Sequence, residues 1–194
     1  MGAPWDRREG DRREFFRDLL GDWIDDVVRK TEARVLRERY HRPPGALPEV
    51  GFLTACTRCG DCGDVCPPHA IQFAAPSAGL AAGTPYFDPR LQPCIACTDM
   101  PCAQACPTDA LTVPATGWLG VHLGTLELLT ERCITFQGAE CSACATACPV
   151  GPSALYMDEA GHPVIRAEGC VGCGVCVRAC VTSPSSLKLQ PLGT

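Results

Sequence analysis

Aromatic side chains are scarce in this chain of 194 residues: six Phe, three Trp and three Tyr make up 6% of it. Such rings dominate the packing of ordinary cores, so something other than side chains has to fill part of this interior. Histidine is sparse as well. His41, His69, His122 and His162 stand at unrelated spacings, which argues against a histidine metal site or acid–base centre and leaves each as a core or surface residue. Long apolar runs are missing. The longest uncharged stretch, Cys66 to Phe87, is broken by Pro67, Pro68, Pro76 and Pro85, too often for a transmembrane segment. There is no Gly-x-Gly-x-x-Gly after a strand pattern, no Walker loop and no nucleophile elbow. The chain shows no substrate site and does not read as an enzyme.

Cysteine is what the chain has instead. Sixteen fall into four tight motifs. The first is Cys56-x2-Cys59-x2-Cys62-x3-Cys66-Pro67 and the second Cys94-x2-Cys97-x4-Cys102-x3-Cys106-Pro107. The third is Cys133-x7-Cys141-x2-Cys144-x3-Cys148-Pro149 and the fourth Cys170-x2-Cys173-x2-Cys176-x3-Cys180, with Val181 where the others have proline. The first and fourth carry the spacing of bacterial ferredoxin ligands, whose last cysteine reaches a partner cluster. Three cysteines at short intervals can wrap one side of a compact cube of iron and sulfur. The fourth, followed by a proline that fixes φ and lacks an N–H, leads the chain away toward a neighbour. A disulfide framework belongs to small secreted chains, and no signal peptide is recognisable here. Zinc sites use two well-separated Cys-x2-Cys pairs, not four cysteines within eleven positions. All sixteen cysteines therefore read as metal ligands, four to each of four [4Fe–4S] clusters. Folding should depend on them, since metal ligation contributes folding free energy directly in such domains.

The formal charge is −5. Each oxidised cluster with four thiolates adds two negative charges, giving about −13 for the loaded protein. That sign excludes nucleic acid as a partner, because phosphate binding needs a basic face. It favours a protein partner with a positive docking patch.

Residues 1–45 read as a separate segment, an amphipathic helix followed by a Pro43-Pro44-Gly45 linker. Apolar pairs recur from Asp11 to about Tyr40, at Phe15/Phe16, Leu19/Leu20, Trp23/Ile24 and Val27/Val28. Arg12-Arg13 resembles the start of a twin-arginine export signal, but Asp18, Asp22, Asp25 and Asp26 interrupt the apolar stretch such a signal needs. The chain reads as cytoplasmic, with periplasmic export through a degenerate signal as the alternative. Across residues 46–194 each cysteine motif is followed by a similar tail, beginning at Ala70, Ala110, Ala154 and Ser186. Short extended segments precede the motifs at Val50–Thr54, Pro85–Asp88 and Val164–Arg166. The fold class is α+β: tandem bacterial-ferredoxin-like βαββαβ units, loop-rich, behind the N-terminal helix. The Gly-containing stretch 107–132 is a longer connection without an assigned role.

The x4 insertion of the second motif and the x7 insertion of the third go beyond a generic ferredoxin. The stretch from Cys94 to Leu111 resembles the second motif of four-cluster electron-transfer subunits that accompany molybdopterin oxidoreductases. The stretch from Cys133 to Pro149 is similar to the third motif of the ferredoxin-type NapG/MauM group. The resemblance covers roughly residues 48–190. It implies an electron-transfer protein that relays electrons between a donor and a redox partner, such as a molybdopterin enzyme or a membrane quinol-side subunit. A ferredoxin-type maturation factor for a metalloenzyme is the alternative. It also implies that motif one pairs with motif four and two with three. Cys180 would then complete the site of Cys56, Cys59 and Cys62, and Cys66 that of Cys170, Cys173 and Cys176. Likewise Cys148 would complete Cys94, Cys97 and Cys102, and Cys106 would complete Cys133, Cys141 and Cys144.

Overall fold

The structure is a computed structural model that describes residues 39–192. The helix expected from Asp11 lies outside the described residues except for its last two positions, Arg39 and Tyr40, which are not helical. Residues 41–45, which include the Pro43-Pro44-Gly45 linker, are packed into the fold. His41 bridges Phe87 across an antiparallel contact, Arg42 is buried and Pro43 is among the most enclosed side chains.

Two halves repeat the same pairing scheme. In the first, Ala46 bridges Leu111, while β1 (Gln72–Phe73) pairs antiparallel with β2 (Pro85–Tyr86). In the second, β3 (Thr125–Leu128) pairs with β6 (Leu187–Gln190), and β4 (Leu155–Met157) with β5 (Pro163–Ile165), both antiparallel. Each half therefore joins its first extended segment to its last and encloses a hairpin between them. Alternation sets the faces: Leu187 and Leu189 are buried while Lys188 between them is exposed. The stretch 107–132, unassigned from sequence, supplies β3.

Val50–Thr54, expected as extended, instead lies within a helix, α1 (Glu49–Ala55). Only Phe52 of this segment is buried, whereas Val50 is 59% exposed. Glu49 in the first turn is bound by the Arg42 guanidinium, so one anchored end and one buried ring hold a helical turn that β-branched Val50 does not oppose.

Four further short α-helices, α2 (Asp61–Asp64), α3 (Pro101–Gln104), α4 (Ala143–Ala147) and α5 (Val175–Ala179), join three 3-10 turns at Pro76–Ala81, Ile134–Gln137 and Gly151–Ser153 among the described residues. Helices α2 and α3 pack on each other, as do α4 and α5. Cysteines are core members. One apolar cluster gathers Phe52, Met100 and Leu111 around Cys56, Cys62 and Cys102. The other gathers Phe87, Leu155, Val177 and Leu187 around Cys66 and Cys176. Ile71, Trp118 and Val121 pack against both. Among the described residues no helix is long and apolar enough to cross a membrane.

Candidate iron–sulfur centres

Each motif is built as a turn leading into a short helix, with Cys62 on α2, Cys102 on α3, Cys144 on α4 and Cys176 on α5. In the Cys-x2-Cys turns that open motifs one, two and four, the second intervening residue has positive φ: Arg58 at 62°, Ala96 at 53° and Gly172 at 68°. A left-handed residue between right-handed or extended neighbours turns successive N–H groups to one side, the concavity that favours anionic sulfur. Only Gly172 announces this in sequence. Arg58 is held there by its own side chain, which donates to the carbonyls of Ala82, Leu80 and Cys56. Gly172 is also required by packing, since a Cβ there would lie 2.4 Å from the Gly124 carbonyl oxygen.

Twelve of the sixteen thiols converge in three groups, each drawing three cysteines from one motif and the last from its neighbour. A second site gathers Cys94, Cys97 and Cys102 with Cys66 around one pocket. A third gathers Cys133, Cys141 and Cys144 with Cys180, and a fourth gathers Cys170, Cys173 and Cys176 with Cys148. The three pockets are near copies in lining, each walled by four cysteines and apolar side chains. Cys62 of the first motif lies near Cys56 and Cys59 of its own motif and near Cys102 and Cys106 of the second, and Cys106 is the one cysteine of the second motif that lies outside the pocket around Cys94, Cys97 and Cys102. This corrects the pairing implied by resemblance: motif one pairs with two and motif three with four. The physical reason is the packing of α2 on α3 and of α4 on α5, which brings consecutive motifs face to face.

The donor set fits an iron–sulfur core. Burial, followed by the neighbouring thiols, pushes the Cys62 thiol up to about 12. Burial likewise takes Cys94 to about 12, and Cys102 and Cys173 to about 11. Four such thiols do not ionise together beside one another without a compensating positive core. Backbone donors are aimed at the last cysteine of three motifs: Ala70 N–H to Cys66, Leu111 N–H to Cys106 and Ser186 N–H to Cys180, each at 3.4 Å. The residue tails that follow the motifs in sequence thus supply hydrogen bonds to sulfur.

Cys180 stands apart. Burial opposes its ionisation, but the Thr182 hydroxyl and N–H, the Ser185 hydroxyl and the Ser186 N–H prevail and bring the thiol down to about 6. Cys106 is lowered in the same way, against burial, by the N–H groups of Thr108 and Leu111 and the Thr108 hydroxyl.

A 4Fe-4S dicluster domain model matches residues 55–110, the stretch that holds the first two sites. Over 199 residues the chain is 36% identical to the ferredoxin-type protein NapG of Escherichia coli, covering 93% of this chain and 86% of that protein. The methylamine utilization ferredoxin-type protein MauM of Paracoccus denitrificans is 39% identical over 144 residues, 70% of this chain and 64% of its own length. The chain belongs to the ferredoxin-type NapG/MauM family. No solved structure matches it. As a family member it is an iron–sulfur protein of the 4Fe-4S ferredoxin type, in keeping with its cysteine content.

Within this NapG/MauM-type chain the sites follow one another. Cys62 of the first shares an apolar cluster with Cys102 of the second, and Cys66 and Cys94 of the second meet Cys176 and Cys148 of the fourth, and Cys144 of the third, around the other cluster. The order is first, second, fourth, third. At one end Cys59 is exposed, and at the other all four cysteines are only partly buried. The first site and the two middle sites each contain two buried cysteines, and the third contains none.

Proposed function

We propose that this chain is an electron carrier with four [4Fe–4S] clusters, relaying electrons between a donor and a partner redox enzyme. When bound, each group supplies one-electron chemistry at a potential tuned by hydrogen bonds to its sulfurs and by solvent exposure. The observation that carries the reading is the three-plus-one grouping of twelve cysteines around three pockets, which leaves Cys56, Cys59, Cys62 and Cys106 for the remaining cluster. On this reading Cys56, Cys59, Cys62 and Cys106 hold one cluster, Cys94, Cys97, Cys102 and Cys66 the next, Cys170, Cys173, Cys176 and Cys148 the third along the row, and Cys133, Cys141, Cys144 and Cys180 the last. Each half is a ferredoxin-like βαββαβ unit, a reading supported by the pairing of its first and last extended segments.

The chain's own residues do three things. The left-handed turns at Arg58, Ala96 and Gly172 orient N–H groups toward sulfur. The apolar clusters around Phe52 and Phe87 keep water from the inner sites. The Thr and backbone donors bias how readily each end accepts negative charge. The test is iron and acid-labile sulfide per chain on anaerobically purified protein, followed by an EPR-monitored redox titration. About sixteen irons with reversible, spin-coupled signals is the expected result, four irons per cubane. About eight irons would reduce the proposal to a single pair, and zinc in place of iron would end it.

A further inference from the structure

The acidic balance of the chain hides a local reversal. A concave groove on the described surface is lined by Arg39, Arg90, Arg132, Arg178 and Lys188, all exposed. These are five of the eight Lys and Arg residues between 39 and 192, against one of the twelve Asp and Glu residues there. That one carboxylate, Asp88, is engaged by Arg90, which donates to it from Nε at 3.1 Å and Nη2 at 2.8 Å. The other nearby carboxylates lie outside the groove: Glu131 meets Arg132 only at 4.0 Å, and Glu127 takes a hydrogen bond from Gln190. Chance scatter of charge does not gather five of the eight cations between residues 39 and 192 in one cleft.

The groove also lies at the end of the row of cysteine sites. Cys180, Val181, Thr182 and Leu187 line both the groove and the pocket of the third site. The wall between the two is thus one ligand and its immediate neighbours. Val181, which stands where the other motifs carry proline, is 62% exposed there. We infer that this groove docks an acidic segment of a redox partner protein, so that electrons pass at the Cys180 end of the chain. The inference rests on the electron-carrier reading above. Its occupant is argued from charge and shape. A cleft bordered by five cations complements a carboxylate-bearing segment, while its concavity suits a polypeptide rather than the flat surface of a bilayer. Residues 1–38 of the chain itself carry nine Lys and Arg against ten Asp and Glu, so as a whole they offer no such complementarity. The overall negative charge then serves orientation, repelling an acidic partner everywhere but here.

The test uses the full-length, iron-loaded protein with a fluorescein-labelled oligoglutamate peptide, read by anisotropy under anaerobic conditions. Binding at low salt is expected, with release at about 0.5 M salt, where screening confines exposed charges to a few ångströms. Arg178→Glu and Lys188→Glu should each weaken it roughly fivefold, the upper worth of an exposed ion pair. Arg166→Glu, at an exposed arginine outside the groove that stacks on Tyr156, should leave it unchanged. Iron content and the redox titration of each variant must match the parent, which separates lost docking from lost folding. Absent binding, equal binding by all three variants, or sedimentation with phosphatidylglycerol vesicles without peptide binding would each overturn the inference. If the parent binds iron but does not cycle reversibly, the carrier reading fails instead, whatever the peptide does.

Discussion

The hydroxyl of Thr182 lies 3.2 Å from the sulfur of Cys180, two residues back in the chain, and 2.8 Å from the Ser186 hydroxyl. Ser186 in turn donates its N–H to the same sulfur. At the other side of the third site, the Thr135 hydroxyl reaches Cys133 at 3.3 Å. The first site receives one hydroxyl, from Thr108 at 3.8 Å. Among the described residues no hydroxyl donates to a cysteine of the second or fourth site. Donors at sulfur stabilise the more negative, reduced state, so the third site should have the highest potential of the four and accept an electron first. Thr182→Val should lower that potential by about 40 mV, the one-electron equivalent of a hydrogen bond of ~1 kcal/mol. Thr182→Ser should restore most of it. A redox titration in which Thr182→Val leaves every potential in place would remove this role.

What the sequence made legible is what short spacing can encode. The four cysteine motifs and the tails beginning at Ala70, Ala154 and Ser186 are local features, and the tails become β1, β4 and β6. Pairing is not local. A Cys-x2-Cys-x2-Cys run places three thiols on one object but leaves the destination of Cys66 to the packing of α2 on α3, which no spacing records. The same limit hid β3, because Thr125–Leu128 has four residues and gains its partner 60 residues on in β6. Helix α1 was hidden by Val50 and Thr54, β-formers whose preference yields to the anchor that Arg42 places on Glu49.

Arg42 is that anchor for the whole entry to the fold. Its guanidinium donates to Glu49, to Thr84 Oγ1 at 2.9 Å and to the Pro85 carbonyl at 2.8 Å, and lies over the Phe52 ring at 4.7 Å. Arg42→Ala strands a part-buried carboxylate and should destabilise the fold by about 3–5 kcal/mol. Arg42→Lys should recover little, because an ammonium cannot hold Glu49, Thr84 and Pro85 together in the planar fork. Thermal unfolding of the iron-loaded variants measures both.

His41 gives the fold a pH dependence with a definite sign. Its ring is buried, 5.3 Å from that of Phe87, and burial holds its pKa below the ordinary 6.5 against the Leu123 carbonyl, which raises it. A depressed pKa means that the unfolded chain binds the proton more readily, so stability is full above pH 6.5 and falls as the pH drops toward the folded value. His41→Gln should flatten this component. Comparing the two proteins between pH 7.5 and about 5.5 isolates it, since acid effects on the cysteine sites are common to both. Equal slopes would show that His41 is not responsible.

The pairing of motifs is open to a direct test by matching losses. Cys66 lines a pocket with Cys94, Cys97 and Cys102, so Cys66→Ser and Cys97→Ser should remove the same EPR signal and about four irons each. Cys180→Ser should likewise reproduce the loss seen in Cys144→Ser, leaving the signals of the first and second sites intact. The alternative pairing, one with four and two with three, predicts a different match: Cys66→Ser would share its missing signal with Cys173→Ser. Because Cys66 lies in the apolar cluster with Cys176, mere proximity allows either variant to perturb the neighbouring site. The decisive observable is therefore which signal vanishes, not which one shifts.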